Sequence, residues 1–226
     1  MRKDPEKREE KIFLSFVNPK GKDVLEIGCG SGRFSKIILR LGAKSLLALD
    51  QNVGKLEQAH HALAKKWPNA RFQHGIGGNL WSFYSVDNDL FDLAVFSFSL
   101  HEHSDPVHGS EDAWARLKPD GEMIILEPRH EGELCQLLAP LVSEEEELAR
   151  ADKAIRDFVC TNKAQKEFFM NWHFKAPENL FKELLTCETE ANQDFIERVA
   201  KDLAFQFPAA KPVIIKDKVI CWWLKK

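Results

Sequence analysis

A glycine-rich loop near the start of the chain has the residue types of a cofactor-binding loop. Gly28, Gly30 and Gly32 stand at alternate positions between a short apolar run and helix-forming residues. A phosphate-binding P-loop would need Gly-Lys-Ser/Thr, and no lysine occupies that place. A dinucleotide fingerprint would need glycine where Arg33 stands, because the helix packs closely on the strand there. The G-x-G-x-G spacing therefore disfavours both kinds of phosphate site.

Two acidic residues beside this loop indicate the charge of the ligand. Glu26 lies two residues before Gly28, where a carboxylate would repel a pyrophosphate and attract a cation. Asp50 ends a second predicted strand and could accept hydrogen bonds from ribose hydroxyls, a role that dinucleotide sites share. S-adenosylmethionine carries an ammonium, a sulfonium, a ribose and an adenine without phosphate, so it fits this pair. An NAD-linked oxidoreductase is the alternative, and it would require NAD to bind and S-adenosylmethionine not to bind.

The elements that must position these residues alternate between strands and helices. This pattern predicts a parallel sheet with helices on both faces, which right-handed crossovers make a doubly wound fold. Ligands of such folds bind at the carboxyl ends of the strands. The predicted strands are Val24–Ile27, Ser45–Leu49, Ala70–Gln73, Phe91–Phe96 and Glu122–Glu127. The predicted helices are residues 5–17, Phe34–Leu41, Val53–Lys66 and one that includes Asp112–Leu117.

The pattern changes after Pro128. Residues 130–207 are predicted to be helical without a strand, and Ser143 with Glu146 has the spacing of a capping box. An aromatic group at residues 168–174 would then pack in the helical core or line a substrate pocket. Two apolar runs flank Lys216-Asp217 and predict a terminal hairpin. We expect one domain comprising an N-terminal helix (1–19), a ligand-binding core (20–128), a helical substrate cap (129–212) and the hairpin (213–226).

Four motifs in this order resemble those of class I S-adenosylmethionine-dependent methyltransferases, close to the small-molecule branch that includes quinone-biosynthesis enzymes. The resemblance covers residues 20–128 and implies a Rossmann-like, mostly parallel seven-stranded sheet with a C-terminal antiparallel hairpin and a helical insert over the active site. The motifs are VLEIGCGSGRFS at residues 24–35, LLALD at 46–50, FDLAVFSFSLH at 91–101 and WARLKPDGEMII at 114–125.

The resemblance also implies roles for individual residues. Glu26 and the backbone of Gly28, Cys29, Gly30 and Gly32 would hold the methionine part of the cofactor. Asp50 would bind the ribose, and Gln51 would lie against the adenine. Ser97 and Phe98 would close the pocket near the sulfonium. The predicted cofactor-binding residues also include Gly75, Ile76 and Gly77, which follow the third strand.

The stretch after the third strand departs from the family pattern. It contains Gly75, Ile76 and Gly77, and Ile76 stands where relatives carry an acid that accepts from the adenine amino group. Either the backbone or Asn79 replaces that contact, or adenine is held by apolar packing. The loss of one hydrogen bond would weaken binding by about 0.5–1.5 kcal/mol. This departure motivates a second reading, a non-catalytic S-adenosylmethionine-binding relative that acts as a partner subunit.

Two histidines after the fourth strand are candidates for catalysis. Methyl transfer needs alignment of the reactants and exclusion of water, and a base is needed only if the acceptor must lose a proton. His101 and His103 are candidates for that base, because the ordinary pKa of a histidine side chain lies near neutral pH. A zinc site formed by His101, His103 and His108 is not favoured, because their spacing matches no established ligand pattern, and we expect no metal.

Composition and charge restrict the partners. The 226 residues carry a net charge of −3 and no basic stripe interleaved with aromatics, so we expect neither nucleic acid nor a membrane surface as partner. Five cysteines without a C-x-x-C pair, and an N-terminus without an apolar signal region, predict a reduced cytoplasmic protein. We expect a small-molecule methyl acceptor, with a protein side chain as the alternative. The identity of the acceptor and the oligomeric state stay open.

Overall fold

The computed structural model describes residues 2–75, 90–139, 143–175 and 212–226. Within these ranges the chain forms eight strands and six helices. The strands are β1 (Arg2–Lys3), β2 (Asp23–Ile27), β3 (Ser45–Asp50), β4 (Ala70–His74), β5 (Phe91–Ser97), β6 (Leu117–Pro128), β7 (Asn162–Phe174) and β8 (Val213–Lys225). The helices are α1 (Arg8–Phe16), α2 (Arg33–Arg40), α3 (Val53–Leu63), α4 (Pro106–Ala115), α5 (Glu133–Leu138) and α6 (Glu145–Asp157).

All eight strands join one sheet in the order β1-β7-β8-β6-β5-β2-β3-β4. The ladders from β6 through β5, β2 and β3 to β4 are parallel, while β8 pairs antiparallel with both β6 and β7. The chain order reverses between β2 and β5, and this is the switch point where doubly wound folds bind ligands. The predicted mostly parallel, doubly wound sheet is confirmed. Its eighth strand is the two-residue β1, which adds to β7.

Each face of the sheet carries its own apolar core. Side chains from α1, α2, α3 and α5 pack on one face, and those from α4 and α6 pack on the other. The central strands are buried on both sides, and β5 has six buried residues among its seven. Such strands read as continuous apolar runs in the sequence, which is why the pattern located them. In the part of the chain that the structure describes, no helix is long and apolar enough to cross a membrane.

The prediction that residues 130–207 contain no strand is wrong. Asn162–Phe174 forms β7, whose side chains at 170, 172 and 174 are buried and alternate with more exposed ones. This period of two is typical of a strand with one covered face. The predicted terminal hairpin is also wrong, because Val213–Lys225 runs through Lys216-Asp217 as the single strand β8. The antiparallel partner of β8 is β7.

Two local predictions need correction or fall outside the described ranges. The predicted Ser143–Glu146 capping box is wrong. The N-cap of α6 is Glu144 rather than Ser143, and no side chain caps the helix. The acidic residues Glu145, Glu146 and Glu147 still occupy its first turn, where the helix dipole favours negative charge. The helices predicted at 177–185 and 190–203 lie outside the described residues.

Candidate functional site

The glycine loop crosses the carboxyl end of β2 with its backbone held by the neighbouring strand. Gly28 N and Cys29 N both donate to Leu49 O, at 2.8 and 2.9 Å. Gly28 has a φ of +75°, and a Cβ there would lie 2.2 Å from the Cβ of Ser99. Only glycine therefore lets this loop approach the segment that follows β5. Burial raises the pKa of the Cys29 thiol, which makes it a packing residue rather than a nucleophile.

Asp50 ties the glycine loop to the end of β3. Its Oδ2 accepts from Gly30 N at 2.6 Å, and its Oδ1 accepts from Asn52 N at 2.8 Å. A cavity of about 160 Å³ opens beside it. The residues that line this cavity are Ile27, Gly28, Leu49, Asp50, Gln51, Gly75, Ser99, Glu102, His103 and Ser104. Four predicted cofactor residues thus share one cavity, which we call the Asp50 cavity; Ile76, Gly77 and Asn79 lie outside the described residues.

Glu26 is a buried carboxyl with incomplete hydrogen bonding. It is 1% exposed, and its Oε2 accepts from Ser35 Oγ at 2.5 Å. Its Oε1 has no hydrogen-bond partner in the structure. Burial raises the pKa of Glu26 to about 8, although Ser35 and Arg33 pull it in the opposite direction. A buried acceptor without a donor is costly, so the site fits a ligand that brings a cationic donor.

A second carboxylate reaches the same region from α1. The Arg33 guanidinium donates through Nη1 and Nη2 to both oxygens of Glu9, with Nη2 2.8 Å from Oε1. Arg33 Nη2 also lies 3.0 Å from Ser97 Oγ, which donates to Glu9 Oε1 at 3.2 Å. Burial would raise the pKa of Glu9, but Arg33 outweighs this and lowers it. Glu9 is not among the predicted site residues, because no local sequence pattern signals it.

The predicted residues Ser97 and Phe98 lie where β5 ends beside the glycine loop. Phe98 has a φ of +59°, a left-handed conformation that is unfavourable for a residue with a bulky side chain. Its N–H donates to Leu126 O at 2.8 Å, and Lys3 Nζ lies 3.8 Å from the centre of its ring. Strained residues of this kind occur where the surrounding contacts fix a functional geometry.

His101 is held by Glu127, which sequence reasoning missed. Its Nδ1 contacts Glu127 Oε2, while Glu127 Oε1 accepts from Ser99 N at 3.2 Å and Leu100 N at 2.7 Å. One carboxylate therefore fixes both the segment after β5 and the imidazole. Burial alone would lower the pKa of His101, but Glu127 outweighs it and raises this pKa to about 9. The position of Glu127 at the end of a predicted strand was the available signal.

His103 lies on the other side of this segment. Its ring meets Phe96 edge to face at 5.6 Å, and its Nδ1 has no hydrogen-bond partner. Burial lowers the pKa of His103, so it stays neutral. Among the residues that the structure describes, no three His, Cys, Asp or Glu side chains lie close enough together to hold a metal ion.

A second cavity, of about 150 Å³, lies beside His101 and is called the His101 cavity. Apolar side chains from α5, α6 and β7 form much of its wall, among them Leu134, Leu148 and Trp172. Glu102 lines both cavities, so the segment 98–102 separates them. Of the aromatic group at 168–174, Trp172 reaches this cavity, Phe174 is buried in the core and Phe169 is half exposed.

Comparison with known proteins gives this geometry a context. Residues 24–121 match a family model described as a methyltransferase domain. The mitochondrial methyltransferase OMS1 of Saccharomyces cerevisiae is 32% identical over 118 residues, 46% of this chain and 25% of that protein. The tRNA U34 carboxymethyltransferase of Methylococcus capsulatus is 30% identical over 53% of this chain and 36% of its own length. The mitochondrial ubiquinone biosynthesis O-methyltransferase of Dictyostelium discoideum is 29% identical over 46% and 35%.

These matches span only about a quarter to a third of each relative's length. Solved structures agree over more of the chain. The arsenic(III) S-adenosylmethionine methyltransferase of Chlamydomonas reinhardtii superposes with a TM-score of 0.55 over 93% of this chain and 65% of that one, at 18% identity. The [4+2]-cyclase SpnF superposes with a TM-score of 0.57 at 16% identity, over 96% and 80%. This likeness shows the fold alone.

Proposed function

Residues 24–121 match a methyltransferase domain, and we propose that the chain is a class I S-adenosylmethionine-dependent methyltransferase that transfers a methyl group from S-adenosylmethionine to a small organic acceptor. One observation carries this proposal. Two cavities lie on either side of the segment 98–102, which follows β5 and contributes lining residues to both. Such an arrangement suits two ligands that must react with each other, one in each cavity.

The first ligand would be the cofactor, in and beside the Asp50 cavity. Asp50 would accept from the ribose hydroxyls, and Gln51 and Gly75 would lie against the adenine. The methionine part would follow the backbone of the glycine loop at 28–32, and Glu26 Oε1 would accept from its ammonium. When bound, the cofactor supplies a methyl group already activated by the sulfonium. The protein's own task is then to orient the reactants and exclude water.

The second ligand would be the acceptor, in the His101 cavity. His101 can hold or accept a proton there, since Glu127 keeps its Nδ1 engaged and leaves Nε2 for the acceptor. Nε2 lies 4.0 Å from a Glu144 oxygen. With a pKa of about 9, His101 is mostly protonated at neutral pH. Methylation of an acceptor that must lose a proton should therefore become faster as the pH rises towards 9.

The size and lining of the His101 cavity favour a small, partly apolar acceptor. About 150 Å³ with leucine and tryptophan walls suits an aromatic or short aliphatic molecule better than a polymer. The ubiquinone-biosynthesis relative supports that class, whereas the relative named for tRNA supports nucleic acid. A net charge of −3 disfavours the latter. The cytoplasmic location expected from the cysteines stays a prediction.

Binding and transfer can be tested separately. Titration calorimetry should show S-adenosylhomocysteine binding, and Asp50→Asn should weaken it about tenfold or more through loss of charged hydrogen bonds. Asp92→Asn is the matched control, because Asp92 lies at the opposite end of the sheet and accepts from Asp23 N. Tritiated methyl donor would then be offered with panels of phenols, quinols and amines, and with protein and tRNA fractions.

The outcomes separate the alternatives. Label in a small molecule supports the proposal, while label in protein or tRNA only would replace the acceptor class. Binding without transfer to any of these acceptors would favour the non-catalytic partner subunit. A protein that binds NAD but ignores the methyl donor and its demethylated product would not be a methyltransferase.

A further inference from the structure

The cluster of Glu9, Arg33 and Ser97 suggests how the cofactor's amino-acid part is recognised, an inference that rests on the proposed function. We propose that Arg33 binds the carboxylate of the cofactor's methionine moiety, and that Glu9 of α1 occupies this position until the cofactor displaces it. Glu9 is thus an internal substitute for a ligand carboxylate. The Glu9 side chain acts in this way as a gate to the cofactor site.

The geometry of the cluster is that of carboxylate recognition. Both terminal nitrogens of the Arg33 guanidinium, Nη1 and Nη2, contact the two Glu9 oxygens, and Ser97 Oγ donates to the same carboxylate. Arginine presents a rigid fork that matches one carboxylate, so a second carboxylate can bind only by replacing the first. Glu9 is 1% exposed while the Arg33 side chain is 35% exposed, so part of the Arg33 side chain faces solvent.

The position of the cluster matches the polarity of an amino acid. Arg33 follows the glycine loop directly and is close enough to act on the pKa of Glu26. An anionic Glu26 and a cationic Arg33 would therefore receive the ammonium and the carboxylate of the same moiety. Glu26, Arg33 and Ser97 do not line the Asp50 cavity, which ends at Gly28 and Ser99.

Displacement of Glu9 does not require α1 to leave the core. Phe13, one turn further along α1, is fully buried and meets Phe34 edge to face at 5.2 Å. Apolar packing of this kind holds the helix in place independently of the Glu9–Arg33 ion pair. Lys3 also lowers the pKa of Glu9, so a cation stays near its carboxylate after displacement.

The test compares two ligands that differ in the amino-acid part. Titration calorimetry would measure S-adenosylhomocysteine, which carries the carboxylate, and methylthioadenosine, which lacks the whole amino-acid part. Glu9→Gln should tighten S-adenosylhomocysteine about tenfold, and Arg33→Gln should weaken it about tenfold, the scale of one charged hydrogen bond. Neither variant should change the affinity for methylthioadenosine by more than about twofold, because this ligand has no carboxylate for Arg33 to bind. Glu10→Gln is the matched control, because Glu10 pairs with Arg40 and joins the same two helices.

Each result has a defined meaning. The inference would be overturned, and the proposed function left intact, by either of two results. One is that Glu9→Gln changes the affinities for both ligands equally. The other is that Arg33→Gln leaves the ratio of the two ligand affinities unchanged. Failure of the wild-type protein to bind either ligand would overturn the proposed function itself. If circular dichroism shows that Glu9→Gln does not fold, the Arg33→Lys variant tests the inference instead. It keeps the charge but loses the fork, and should weaken S-adenosylhomocysteine alone.

Discussion

At the scale of single residues, the buried carboxyl group of Glu26 gives the site a protonation state that ligand binding should change. Glu26 has a pKa of about 8 and is therefore mostly protonated at pH 7. An ammonium donor at Oε1 would favour the charged carboxylate and expel that proton. We predict that binding of S-adenosylhomocysteine at pH 7 releases about 0.9 proton, the fraction bound one unit below a pKa of 8. Calorimetry in buffers of different ionisation enthalpy measures this number.

Glu26→Gln provides the control for this prediction. It should release no proton and bind the ligand more weakly. It should also be more stable than wild type above pH 8, because a carboxyl whose folded pKa is raised loses stability as the pH rises from its unfolded value to about 8. Thermal melts at pH 4 and pH 8.5 should show this gain only at the higher pH. Proton release that persists in Glu26→Gln would assign the titration to another group.

Sequence could predict residues whose role follows from local spacing. Glu26, Gly28 and Asp50 were found because each has a fixed offset from a strand end or a glycine, and the structure places Gly28 and Asp50 at one cavity. Glu9 could not be found that way, and the position of Glu127 at a strand end does not reveal which residue it contacts. Glu9 meets Arg33 across 24 positions, and Glu127 meets His101 across 26. Only packing of α1 on α2, and pairing of β6 with β5, brings these partners together.

At the scale of elements, the strands buried on both faces were predictable and β7 was not. The first half of β7 is polar and mostly exposed, with residues such as Lys163, Gln165 and Glu167 that are common in helices. Its period of two is clear only in the second half. Its strand conformation depends on β8, which pairs with it residue by residue from Asn162 to Phe174. Tertiary pairing overrides local propensity here.

The glycine loop allows a paired test at this scale. Gly28 and Gly30 both have positive φ, but their surroundings differ. A Cβ at Gly28 would lie 2.2 Å from the Cβ of Ser99, whereas a Cβ at Gly30 would have no atom within 4 Å. We predict that Gly30→Ala lowers the free energy of unfolding by about 1–2 kcal/mol, the cost of the left-handed backbone alone. Gly28→Ala should cost about 1–3 kcal/mol more because it also overpacks the loop.

Chemical denaturation of the two variants measures this difference. The wild-type protein and Gly21→Ala, whose φ is +74° with open space around it, give the reference for backbone strain away from the site. Gly28→Ala should also weaken S-adenosylhomocysteine, because the segment after β5 must move. Equal losses of stability at positions 28 and 30 would show that the approach to Ser99 carries no energetic weight.

At the scale of the whole molecule, the fold brings the chain's first residues to its functional edge. Phe13 and Val17 bury α1 in the same core as α2, while β1 pairs with β7 through Arg2 and Lys3. Lys3 reaches both Phe98 and Trp172 from there, at 3.8 and 4.5 Å from their ring centres. The N-terminal segment thus contacts residues of the cofactor side and of the His101 cavity.

The contribution of this segment to global stability depends on Phe13. Its side chain is fully buried against Phe34, so Phe13→Ala should lower the free energy of unfolding by about 3–5 kcal/mol through lost transfer energy and a cavity. Leu14→Ala, on the exposed side of the same helix at 41% exposure, should change it by less than about 0.5 kcal/mol. Urea unfolding of both variants measures the contrast. Similar small losses in the two variants would mean that α1 packs only weakly on the core. The packing of α1 would then not fix the position of Glu9 beside Arg33.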